Sequence, residues 1–559
     1  MRWWIGALLC AALPGCEREP RFDAPQQAAE LPERLAAGAA RVDQAYLSAA
    51  GYGSDWPAVG GNYFNRHYSP LDEVNAESVG ELGLAWTASL PDRGEQQAVP
   101  VAVDGTVYFG TAGGEVFAFA GADGEELWHY DPKLSEASLA DHCCGIVNRG
   151  VAVWKGKVYV GTLDGRLVAL DAITGAQLWS TQVTDRTRSV SIVGAPVVAR
   201  NLVFIGGAGS VGHRGSVSAH DANSGTLEWR FYTVPPTGDA PDGAASDAAL
   251  STARHSWGSG EWQAMGGGGS VSNAILYDPV LDQLYIGTGP GTPADYARRS
   301  GGSGDNLFLS SILALRPETG DYLWHFQQMP GDGRGHGATA GMILARIELE
   351  GERRPVLMQA AANGFMFLLG RRTGRLLAAE PYLDEVSWTQ GYDPESGRPL
   401  GAGSRQEDGL PPPPGARDWQ PMAYSPRAGL VYFAAGLPAA GEEEEEAAAA
   451  AIIAWDPQAG KAVWRSETEG APGGMLVTRG GILFAATAKG LLALSASDGE
   501  RLWSLRTSAP VVAAPSTFLV GGAQHLAFAA GDRLIVLKRG GRKAAPIAPP
   551  EEDGAKAGG

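Results

Sequence analysis

From about residue 80 the chain alternates β-type apolar runs with a polar turn of one recurring form, Ala-x-Asp-x-x-Thr-Gly-x-x-x-Trp. The turn is fullest at 169–179, where Asp171, Thr174, Gly175 and Trp179 are all in place, and it recurs at 219–229, 314–324, 454–464 and 493–503. Degenerate copies end at Trp128 and Ala378, with Gly124 and Gly374 four residues earlier, and a leading fragment ends at Trp86. Each turn predicts a hairpin. Glycine supplies the positive φ, the polar residues before it satisfy turn backbone groups, and the Trp opens the next strand with a large flat apolar body. A four-stranded unit cannot bury both faces alone, but units stacked radially cover one another. Eight candidate units at roughly 40–50-residue spacing therefore predict an all-β, eight-bladed β-propeller with tryptophan-docking repeats. The intervals 229–324 and 378–464 are nearly twice as long and carry insertions, which is where a propeller builds its site.

Ahead of the repeats the pattern changes. Residues 1–15 hold one basic residue, Arg2, and then a short apolar run ending in small residues, which predicts an export signal too short to span a bilayer comfortably. Leu13-Pro14-Gly15-Cys16 resembles a bacterial lipobox, making Cys16 the expected acylated start of the mature chain; an ordinary cleaved signal with an incidental cysteine is the alternative. Residues 16–50 are polar and alanine-rich and read as a tether, with room for a short helix over 28–49. The propeller is expected over 51–540 and a disordered tail over 541–559.

Composition narrows the function classes. Of 559 residues, 62 are acidic and 44 basic, a net charge of −18, which disfavours nucleic acid as a partner. The four cysteines, Cys10, Cys16, Cys143 and Cys144, make neither a CxxC pair nor a CxxCH haem site. The run 442–446 of glutamates followed by alanines reads as a solvated loop, and the glycines at 266–269 as a flexible turn before a strand.

The Trp-turn repeat and several longer motifs together resemble the pyrroloquinoline quinone (PQQ)-dependent alcohol dehydrogenases of the methanol/ethanol type. The motifs include Gly60-Gly61-Asn62-Tyr63-Phe64-Asn65-Arg66-His67-Tyr68-Ser69-Pro70-Leu71 and Asp141-His142-Cys143-Cys144-Gly145-Ile146-Val147-Asn148-Arg149-Gly150. Gly304-Asp305-Asn306-Leu307-Phe308-Leu309-Ser310-Ser311 is a third, and the resemblance runs from about Trp56 to about 538. It implies oxidation of a small-molecule alcohol by PQQ held on Ca²⁺ or a lanthanide, with electrons passed to a separate acceptor. It also implies that Cys143 and Cys144 form a ring disulfide over one quinone face while Arg149 hydrogen-bonds a quinone oxygen. Adjacent thiols in an exported protein tend to oxidise; two buried free cysteines packing as small hydrophobes are the alternative.

Other positions depart from the family pattern. Ser210 stands where the family has a Glu metal ligand and Pro290 where it has an Asn ligand. Gly335 falls at the catalytic Asp, Gly337 at the second Asp of lanthanide enzymes, Ser272 at the Trp beneath the quinone, Ala362 at a Lys and Gln97 at a Glu. No metal ligand is therefore assigned. Asp295, Asp305, Asp332, Arg334 and His336 lie in the same loops as local candidates, and His336 beside Asp332 is the candidate acid/base pair, an exposed loop histidine being the alternative. Two functions compete: a periplasm-facing quinoprotein dehydrogenase, and a non-catalytic lipoprotein propeller that binds a partner or another ligand.

Overall fold

In the second blade, Asp171 Oδ1 accepts from the backbone N–H groups of Ile173 and Thr174 and from the Thr174 hydroxyl, all within 2.9–3.0 Å, so the aspartate builds the turn that Gly175 completes at φ 70°. Asp221 does the same for Asn223 and Ser224 in the third. The small Ala of each repeat pairs directly across the hairpin from its Trp, as Ala169 with Trp179 and Ala219 with Trp229. The indole then lies on the turn glycine of the following blade. A Cβ added to Gly175 would stand 2.6 Å from Trp128, and one added to Gly225 2.6 Å from Trp179. Several of the indole N–H groups donate to that same turn: Trp128 to the Ala172 carbonyl at 3.0 Å, Trp229 to that of Pro317 at 2.9 Å. Where the Trp is replaced by Ala378, the Glu380 side chain meets Gly460 instead.

The structure is a computed structural model describing residues 38–49, 53–136, 138, 145–185, 189–209, 212–238, 240–384, 386–401, 417, 419–436, 449–470 and 472–542. Its described residues form eight main sheets of four or five strands, with blades at 101–130, 152–182, 197–232, 275–327, 343–381, 423–469, 472–506 and 516–539. Leu82–Ser89 supplies the fourth strand of the last blade by pairing with Arg533–Arg539, which closes the ring. Leu84 also bridges to Arg542, so the ordered pairing runs two residues past the expected limit of 540. The first strands of the first two blades, Val101–Val103 and Ala152–Trp154, are largely buried, whereas the fourth strand of the second blade, Gln177–Gln182, has only exposed and half-buried positions.

The segment that carries the first long motif crosses this axis. Trp56 pairs with Ala102, the Tyr63 hydroxyl donates to the Val198 carbonyl at 2.8 Å, and Asn65 Nδ2 donates to that of Met342 at 2.8 Å. Tyr424 and Val477 donate their N–H groups to the Arg66 and His67 carbonyls, and Tyr68–Ser69 joins the seventh blade as a parallel strand. Residues 38–49, within the span read as a tether, form the short helices Gly38–Arg41 and Gln44–Ala49 and dock Ala39, Val42 and Leu47 into the core. The glycines at 266–269 are a built element rather than a flexible turn: Gly267–Gly268 pairs with Gly291–Thr292, and all four glycines have φ between 72° and 88°. Cys10, Cys16, Cys143, Cys144, Ser210, the run 442–446 and the tail beyond 542 lie outside the described residues.

Candidate functional site

Arg149 is placed by the backbone around it. Asn148 locks the approach, donating to the Gly161 carbonyl at 2.9 Å and accepting from Gly150 N–H at 2.9 Å, and Arg149 N–H donates to the Val193 carbonyl. The guanidinium donates from Nε to Gln97 Oε1 at 3.1 Å and lies 4.8 Å from the Trp419 ring centroid. Gln97 in turn donates to Glu95 at 2.9 Å. Arg149, Gln97, Trp419, Asn273 and His67 line one axial cavity of about 120 Å³, bounded from within by Leu47, Tyr63 and Asn65. The lining among the described residues is rich in valine, alanine and proline, with one guanidinium, several amides and no Asp or Glu. Such a set can hydrogen-bond an oxygen-bearing ligand, but among the described residues it offers amide oxygens and neither a carboxylate base nor a carboxylate ligand for a hard cation.

The structure thus brings together Arg149 and Gln97 of the sequence candidates. It also adds Trp419 and His67, which sequence reasoning missed. Trp419 had a usable signal, since it falls outside the spacing of the docking repeat and therefore needs another explanation. His67 lay unremarked inside a motif quoted only for its resemblance. It is 1% exposed, its Nδ1 has no hydrogen-bond partner, and burial pushes its imidazole down to about 3.

The metal-side positions are arranged differently. Gly335 is exposed at φ 80° with open space around a would-be Cβ, whereas Gly337 is buried and a Cβ there would stand 3.0 Å from Gly289 Cα and 3.1 Å from Pro290 Cδ. The two loops are packed against each other at that point, and Pro290 accepts from Gly269 N–H through its carbonyl. Asp332 is fully engaged: Oδ1 accepts from the N–H groups of Arg334 and Gly335, at 2.8 and 3.1 Å, and Oδ2 from the Ser310 hydroxyl. Burial raises its carboxyl above the usual range. His336 is buried rather than exposed, and burial lowers its imidazole against the opposing charge of Asp332. Neither lines the axial cavity. Asp305 is held by Arg398 at 2.7 and 2.8 Å, and Asp295 caps the helix Tyr296–Ser300 by accepting from Arg298 N–H. Among the described residues no three His, Cys, Asp or Glu side chains gather as a metal site.

The sequence matches the family described as glucose/ethanol/alcohol dehydrogenase, β-propeller domain, over residues 56–379. A second family, described as outer membrane protein assembly factor BamB, matches 372–554. The chain is 42% identical over 530 residues to the quinohemoprotein alcohol dehydrogenase ADH IIB of Pseudomonas putida, covering 89% of this chain and 76% of that one. Its fold superposes on quinohemoprotein alcohol dehydrogenase ADHIIG from Pseudomonas putida HK5 with a TM-score of 0.86 at 37% identity, covering 92% and 84% of the two chains. A europium-containing methanol dehydrogenase superposes with a TM-score of 0.79 at 28% identity, covering 88% of this chain and all of that one.

Proposed function

We propose, from the premise that this chain belongs to the PQQ-dependent alcohol dehydrogenase family, that it is an exported propeller whose axial site has lost metal–quinone alcohol oxidation and serves as a ligand-binding site. The observation that carries this reading is the axial lining, which among the described residues holds no Asp or Glu. PQQ is a trianion, and the hard cation that would neutralise it gains too little from amides alone to offset its dehydration. The residues do not fit that group. Pro290 has no side-chain oxygen, Gly335 and Gly337 have no side chain, and the carboxylates of the surrounding loops are committed to turns, caps and ion pairs. The match of 372–554 to a family described by an assembly factor is consistent with a binding role.

A second reading, an alcohol dehydrogenase feeding a separate electron acceptor, is favoured by the adjacent Cys143 and Cys144 in the sequence and by Arg149, which lies beside Gln97 over Trp419 as a donor for a quinone oxygen. Export and lipid anchoring, with the protein facing the periplasm or the cell surface, rest on the signal at 1–15 and on Cys16. No helix among the described residues is long and apolar enough to cross a membrane. The functional test is dye reduction by the purified protein with PQQ, Ca²⁺ or La³⁺, and methanol or ethanol. The expected rate is that of the protein-free control; turnover above about 1 s⁻¹, the low end of ordinary enzyme rates, establishes the second reading instead.

A further inference from the structure

We infer that the cleft between the second and third blades binds one small organic anion, a monocarboxylate with an apolar body, through Arg230, Tyr232 and Ser216. The cleft encloses about 370 Å³ and shares no lining residue with the axial cavity. It is therefore a separate site, and the inference stands whether or not the functional reading above holds.

The polar end follows from the outer hairpin of the third blade. Arg230 and Tyr232 stand two residues apart on the strand Leu227–Tyr232, so their side chains leave the same face about 7 Å apart. Ser216 pairs directly across from Tyr232 on that face. Arg230 is held in place by Nη2, which donates to the Val183 carbonyl of the second blade at 2.7 Å. Its Nη1 donates to no described residue and is not sealed inside the protein, and the Tyr232 and Ser216 hydroxyls are open in the same way. Three donors thus face the cleft with nothing in the fold to receive them.

Charge and shape set the class of ligand. Arg214, whose guanidinium lies 3.8 Å from the Tyr232 ring centroid, is ion-paired with Asp242. Asp185, the one acid of the described lining, is itself engaged. No carboxylate among the described residues pairs with Arg230, so one guanidinium is left uncompensated. A single carboxylate supplies that charge, and hydrogen bonds from a guanidinium to an ionised acceptor are stronger than those to a neutral one. A dianion would bring in a second charge without a counter-charge, which a half-enclosed site penalises. A carboxylate group alone fills little of the volume. The rest of the lining includes Val190, Ile205, Pro235 and Trp262, all buried, and Trp262 is fixed by its indole N–H on the Gly258 carbonyl at 2.9 Å and by the Trp257 ring at 4.7 Å. These side chains favour a ligand whose remaining atoms are apolar.

Calorimetric and ligand-observed NMR titrations of the purified protein with benzoate, benzamide and inorganic phosphate test this. Benzoate is expected to saturate one site and to bind at least about tenfold tighter than benzamide, its neutral isostere, and tighter than phosphate. Arg230→Gln, which keeps a donor for the Val183 carbonyl and removes the charge, is expected to weaken benzoate at least about tenfold, the scale of a hydrogen bond to a charged group. Tyr232→Phe, a smaller change in the same cleft, is expected to weaken it several-fold. Arg149→Gln, in the axial cavity, is expected to leave benzoate bound as before. No saturable benzoate binding at millimolar concentration overturns the inference, and so does benzamide or phosphate binding as tightly as benzoate; these readouts need only the unmutated protein. Benzoate binding that is lost in Arg149→Gln and kept in Tyr232→Phe and Arg230→Gln puts the anion in the axial cavity and overturns the inference as well.

Discussion

His67 contributes to how the molecule responds to acid. In the unfolded chain its imidazole takes up a proton as pH falls through 6.5, but in the fold burial delays this until about 3. The unfolded state therefore binds more protons across that window. The stability that neutral His67 contributes is complete above pH 6.5 and is lost progressively down to about 3, at up to about 1.4 kcal/mol per pH unit. His220, His325, His336 and His525 are lowered by burial too and act in the same direction. Urea denaturation of His67→Gln at pH 7, 6, 5 and 4 is expected to show a shallower fall than the native protein, by close to one proton's slope. Equal slopes in the two proteins would show that His67 titrates normally in the fold. Nothing in the sequence distinguishes this histidine from an exposed one. Its surroundings combine Trp56 and Gly60 of the axial segment with Val477 of the seventh blade, which lies hundreds of residues away in the chain. Arg149 was legible because a long motif surrounds it, and Gly335 because a missing side chain can be read directly. Gly337 was legible only as an absence, and the contact it makes with Gly289 and Pro290 required the fold.

At the scale of the element, the repeat was readable because each of its residues has a separate physical task. Asp builds the turn, Gly turns it, Ala makes room across the hairpin, and Trp covers the neighbouring glycine. Trp128→Ala is expected to cost about 3 kcal/mol, as for other buried tryptophans. Gly175→Ala is expected to cost about 1–3 kcal/mol, because its φ of 70° is unfavourable for alanine and the new Cβ meets Trp128. Both changes act on one contact, so the double variant should lose at least about 0.5 kcal/mol less than the sum. Strict additivity in urea titrations would mean that the indole does not rest on that glycine. Two elements were not readable. The glycines at 266–269 carry no side-chain pattern, so their ladder with Gly291–Thr292 left no trace in periodicity. Residues 38–49 look like tether because their apolar positions are few, yet Ala39 and Val42 accept from Gly156 and Lys155 through their carbonyls.

At the scale of the molecule, the ring is closed by Leu82–Ser89 on Arg533–Arg539, and its channel is crossed by the segment around residues 56–69. The eight-bladed architecture follows from repeat counting. The presence of an inner segment does not, because a channel filler shows no periodicity of its own. The proposed lipid anchoring rests on one residue, Cys16. Metabolic labelling with a radioactive fatty acid is expected to mark the protein, and Cys16→Ala is expected to abolish the label; label that persists in the variant contradicts lipid attachment at Cys16.

The proposed loss of quinone-dependent oxidation turns on whether the axial site can hold a metal-bound trianion. Equilibrium titration of the purified protein with PQQ in the presence of Ca²⁺ or La³⁺, followed by absorbance and metal content after dialysis, measures this directly. The expected result is no saturable binding below about 10 µM, about −7 kcal/mol of binding free energy, and no retained metal. One equivalent of PQQ bound at submicromolar affinity together with one equivalent of metal would contradict it.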